Sequence, residues 1–122
     1  MAMIETFTSP EHLVPFFAEH AGYSYDPATE TPKQGRLRCA AELASAAMRA
    51  FEDGCSFEWS VDPDGARYYD GESATEWACV MRNSSGAICG SLSGIGLGES
   101  DPWSDPYRRV VEAELALEHY RA

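Results

Sequence analysis

Hydrophobic spacing changes its period at Gly54, and that switch narrows the folds open to this chain of 122 residues. Upstream, Leu37, Ala40, Ala44, Ala47 and Phe51 recur at steps of three and four with Met48 beside them, which predicts one face of an α-helix. Downstream, Cys55, Phe57, Trp59 and Val61 alternate with Ser56, Glu58, Ser60 and Asp62, the period-two pattern of a strand buried on one side. Helix before one glycine and strand after it make an α+β chain, with helices packed on a sheet.

Punctuation fixes the helix ends. Thr31-Pro32-Lys33-Gln34 supplies an N-cap, a proline at the first helical position and a capping-box glutamine, so the central helix is predicted from Pro32 to Asp53. Gly35, inside its first turns, weakens that end. An earlier helix starts at Thr8 or Ser9, where Thr8 and Glu11 fit a capping box and Pro10 suits a first turn, and stops before Gly22. Pro15 makes it short or kinked, burying Leu13, Phe16 and Phe17.

After the first strand, Asp62-Pro63-Asp64-Gly65 reads as a turn, Ala66 to Tyr69 as a second short strand and Asp70-Gly71-Glu72-Ser73 as a second turn. A stronger strand runs from Glu76 to Arg82, and Asn83-Ser84-Ser85-Gly86 links it as a hairpin to Ala87–Ser93. A last helix begins at Ser104 or Asp105 with Pro106 in its first turn and carries Tyr107, Val110, Val111, Leu115 and Leu117. The expected fold is one α+β domain over residues 1–122: an antiparallel meander of three to four strands with helices on one face, in the order α-α-β-β-β-β-α.

Nothing in the chain resembles a catalytic or metal-binding motif. Cys39, Cys55, Cys79 and Cys89 form no C-x-x-C pair, and His12, His20 and His119 do not share the spacing of a zinc helix. The histidines read as surface residues at helix ends, and the cysteines as reduced, mostly buried thiols of a cytoplasmic protein. Gly94-Ile95-Gly96-Leu97-Gly98 precedes Glu99 and Asp101, carboxylates that repel a phosphate, so it reads as a hinge or bulged edge strand. Counted from Asp62, glycine falls fourth, at Gly65, where an EF-hand needs it sixth, and Ser73 takes the twelfth position that requires glutamate. No cofactor and no metal is expected.

Charge is the more informative property. Nine Lys+Arg stand against 20 Asp+Glu, a formal charge of -11, which opposes direct contact with nucleic acid or an anionic membrane and attracts basic partners. The stretch from Glu52 to Glu76 holds Glu52, Asp53, Glu58, Asp62, Asp64, Asp70, Glu72 and Glu76 against the single base Arg67. Alternate residues on one strand face are about 6.6 Å apart, close to two phosphate steps of about 3.4 Å, so Glu58, Ser60 and Asp62 can present a phosphate-like row. Tyr68, Tyr69 and Trp77 interleave with the acids, and Trp103 lies between Asp101 and Asp105. Aromatics among charges are the raw material of binding hot spots.

A small, acidic, single-domain chain without catalytic motifs resembles, in size and charge, the phage-encoded inhibitors of host defence, anti-CRISPR proteins among them. The resemblance implies a non-enzymatic binding protein that occupies a basic, nucleic-acid-binding surface of a larger complex. Glu58, Asp62, Asp64, Asp70, Glu72 and Glu76 would then supply the electrostatics, with Tyr68, Tyr69 and Trp103 as anchors. Two other readings stay open: a ligand-binding or enzymatic domain with its site beside Gly94–Gly98, and a homodimeric assembly subunit joined through the sheet or the alanine-rich helix.

Overall fold

A computed structural model of the chain describes residues 12–67, 70–95 and 105–121, with side chains at all of these except 105–107. The elements are α1 (Leu13–His20), α2 (Pro32–Glu52), β1 (Ser56–Arg67), β2 (Ser73–Arg82), β3 (Ile88–Ile95) and α3 (Asp105–Arg121). The strands form one antiparallel sheet in the order β1-β2-β3. Among the described residues the fold is α+β as expected, and its three strands fall at the lower end of the expected three to four, in the order α-α-β-β-β-α where the expected order held a fourth strand.

The missing strand has a local cause. Asp62 pairs with Glu76 and Ala66 with Ala74, so Pro63, Asp64 and Gly65 oppose a single residue of β2. They bulge out of one long strand instead of reversing the chain. The Asp62 carboxylate accepts the Asp64 N–H at 3.1 Å, a local bond that the sequence pattern shares with a true turn. The reversal comes later, between Arg67 and Ser73.

The remaining boundaries follow from identifiable groups. Thr31 Oγ1 accepts the Gln34 N–H at 3.1 Å and Gln34 Oε1 accepts the Thr31 N–H at 2.8 Å, which completes the predicted capping box of α2. Pro15 falls in the first turn of the short α1, where its missing N–H is no loss. The capping residues Thr8, Pro10 and Glu11 lie outside the described residues. In the β2–β3 hairpin the Asn83 side chain accepts the N–H groups of Ser85 and Ala87, each at 3.0 Å. At the other end of β3, Gly94 leaves room for the Trp77 indole: a Cβ there would stand 2.7 Å from the ring. The expected glycine hinge is thus partly a packing requirement, and Gly96 and Gly98 lie outside the described residues.

One face of the sheet carries Phe57, Trp59, Trp77, Cys79, Met81 and Leu92, and it is covered by α3. The α3 helix contributes Val111, Ala113, Leu115 and Ala116 to the core, while the Tyr107 side chain lies outside the described set. Among the described helices α3 is the one that lies on the sheet to any extent; α2 packs on α3, and α1 on α2. This layering turns the apolar face of α2. Leu43, Ala46 and Ala50 are buried beside Ala40, Ala44 and Ala47, whereas Leu37 and Phe51, expected inside, are each 45% exposed. Along α2 the buried set is mostly alanine, which lets α3 approach closely.

Candidate functional site: the acidic end of the sheet

Among the described residues no helix packs on the opposite face of the sheet. Ser56, Glu58, Ser60 and Asp62 of β1 point there with Arg82, Val80, Ala78 and Glu76 of β2 and Ser91, Ser93 and Ile95 of β3. The expected row Glu58, Ser60 and Asp62 is therefore present and exposed. Its two ends differ. Glu58 accepts a hydrogen bond from Arg82 Nε at 3.0 Å, whereas Asp62 sits directly across from another carboxylate, Glu76.

That like-charge rung is the hub of the site. Gly65 lies against it, so close that a Cβ would meet the Cβ atoms of Glu76 at 2.9 Å and Asp62 at 3.0 Å. The bulge therefore folds back onto the rung and brings Asp64 beside it. Beyond, Asp70 Oδ1 accepts the Glu72 N–H at 3.0 Å, and Arg67 donates to the Gly71 carbonyl at 3.1 Å and reaches Ser73 Oγ at 3.5 Å. The one base of the segment thus helps shape the connection. Asp62, Asp64, Asp70, Glu72 and Glu76 are gathered at one end of the sheet, all exposed. Glu52 and Asp53 belong to the far end, where Asp53 accepts the Tyr120 hydroxyl at 2.6 Å and ties α3 to the α2–β1 junction.

The aromatic residues divide. Trp77 is a core residue, its indole 5.5 Å from that of Trp59, which removes it from the candidate surface. Tyr68, Tyr69 and Trp103 lie outside the described residues. His12, His20 and His119 are exposed at helix ends, as expected.

Sequence reasoning missed a buried carboxylate. Glu112 of α3 is 4% exposed and accepts the Trp59 Nε1–H at 2.9 Å, with Arg108 stacked 5.1 Å from the Trp59 ring centre. Burial raises its pKa above the ordinary carboxylate value, opposed by the Trp59 bond and by the nearby charges of Arg109 and Arg108. The adjacent Cys79 thiol is pushed up to about 12, first by burial and then by Glu112. The available signal was an indole on the inward face of a strand, which needs an acceptor once buried.

No family model, no curated protein and no solved structure matches the chain. Its chemistry is read from these residues alone.

A hollow beside β3 has a volume of about 300 Å³ and is lined by Cys89, Gly90, Ser91, Leu115, Glu118 and His119. Burial raises the pKa of its Cys89 thiol, opposite to the shift that makes a thiolate available. Among the described residues no helix is long and apolar enough to cross a membrane, and no group of three or more His, Cys, Asp or Glu could hold a metal ion.

Proposed function

We propose that this chain is a non-enzymatic binding protein that seats the acidic end of its sheet in a basic, nucleic-acid-binding surface of a larger complex. The observation that carries the reading is the Asp62–Glu76 rung backed by Gly65, with Asp64, Asp70 and Glu72 around it. Directly opposed like charges on a sheet reduce stability. An external cation relieves that repulsion, so the arrangement that weakens the isolated fold strengthens a complex with a basic groove.

In such a complex the carboxylates stand where phosphates would, on a rigid frame, and little ordering is left to occur on binding. The protein then acts as an inhibitor by occupancy, as phage-encoded anti-CRISPR proteins do, in a cytoplasm that keeps its four free cysteines reduced. Tyr68, Tyr69 and Trp103 are the proposed aromatic anchors.

The reading is tested by immobilising the purified chain, exposing it to lysate at low salt, and challenging what is retained with duplex DNA or structured RNA. Displacement by nucleic acid of a retained nucleic-acid-binding protein is the expected outcome. Retention that nucleic acid leaves untouched contradicts it.

A further inference from the structure

The two edges of the sheet are built differently. β1 carries Glu58, Asp62, Pro63 and Asp64 and a bulge, the devices that keep an exposed strand from pairing with another chain. β3, Ile88–Ile95, carries no charge and no proline. Among the described residues it pairs with β2 alone. Its two terminal isoleucines are 59% and 46% exposed, the largest apolar exposures on the strand.

The register of β3 reveals a symmetry. Arg82 pairs with Ile88 and Met81 with Gly90, so Cys89 is bulged out of the ladder. Its thiol donates instead to the Met81 carbonyl at 3.5 Å. The residues that remain on rungs read Ile88, Gly90, Ser91, Leu92, Ser93, Gly94 and Ile95, a palindrome centred on Leu92. A two-fold axis beside Leu92, with a second β3 antiparallel to the first, sets Ile88 opposite Ile95, Gly90 opposite Gly94 and Ser91 opposite Ser93. Each pair lies on one face of the sheet: serines and isoleucines on the open face, glycines and Leu92 on the side of α3. This is the self-complementarity that an isologous two-fold contact demands. The same operation places the end bearing Arg82 beside the neighbour's acidic end, and it sends the two acidic ends to opposite corners.

We propose that β3 is a homodimerisation edge, joining two copies antiparallel about Leu92 into one six-stranded sheet with isoleucine contacts at both ends of the seam. Serine pairs and apolar pairs across neighbouring strands are among those that favour pairing. One strand edge makes a small interface, so association belongs to the micromolar range. The dimer does not depend on the inhibitor reading, because it uses the opposite edge of the sheet.

Sedimentation equilibrium of the purified chain at roughly 100 μM should show a reversible dimer. Ile88→Lys with Ile95→Lys sets lysine opposite lysine twice and should weaken the dimer by about tenfold or more, whereas Ile88→Lys with Ile95→Glu sets opposite charges together and should restore it. Both positions are exposed, and near-UV circular dichroism confirms that each variant keeps its core. A monomeric parent at that concentration overturns the proposal. So does a dimer indifferent to the lysine pair, or a Lys/Glu variant as monomeric as the Lys/Lys variant.

Discussion

At the scale of single residues, negative charge is disfavoured in two different settings, an exposed like-charge rung and a buried carboxylate. Asp62 and Glu76 repel each other across a rung in solvent, so Glu76→Gln should stabilise the isolated protein by about 0.5 kcal/mol at low ionic strength. The gain, measured by urea denaturation, should shrink as salt is added. Glu112 is disfavoured in its charged form by burial, so its folded pKa lies above its unfolded value. Its contribution to stability is complete below the unfolded pKa, near 4.3, and is lost as pH rises through the folded pKa. The stability of Glu112→Gln relative to the parent should therefore increase between pH 4 and pH 7, read from denaturation midpoints across that range. The two settings were not equally legible in advance. The open-face acids follow from alternation along β1, but Glu112 shares the later turns of α3 with Glu114 and Glu118, and the tertiary contact with Trp59 is what distinguishes it.

At the scale of elements, capping chemistry translated most directly from sequence to structure. Every bond of the α2 cap lies within four residues, so Thr31, Pro32 and Gln34 determine it without help from the rest of the fold. Thr31→Ala should cost about 1 kcal/mol of stability, seen as a lower thermal midpoint. The Asp62–Gly65 segment shows the limit of the same reasoning. Its local bond from Asp64 N–H to Asp62 is compatible with a turn or with a bulge, and the pairing of Ala66 with Ala74 decides between them. Likewise, the period of α2 identified a helix, but the facing surface of α3 decided that Leu43 and Ala50, and not Leu37 and Phe51, lie inside. Because Gly65 touches the acidic rung, Gly65→Ala displaces the bulge without altering any charge. It should weaken partner binding by more than its effect on stability accounts for, and a retained-fraction assay beside a melting curve separates the two.

At the scale of the whole molecule, charge is segregated by architecture. The layering of sheet, α3 and α2 covers one sheet face and leaves the other to solvent, and the long bulged β1 carries its acids to one end of that face. Excess negative charge alone would give a diffuse field; placement on a sheet gives it a direction and a fixed geometry. Net charge and the acidic run were readable from composition, whereas their convergence on the Asp62–Glu76 rung required the register of β1 against β2. The most direct test compares the parent with Asp62→Lys, Asp64→Lys and Asp70→Lys combined, and with reversal of the exposed Glu19 on α1 as a control, in capture of the basic partner over a series of salt concentrations. Capture by the parent and by the Glu19→Lys control should fall steeply with salt, and the triple variant should capture nothing at any salt. Capture by the triple variant equal to that of the parent would contradict the proposed function.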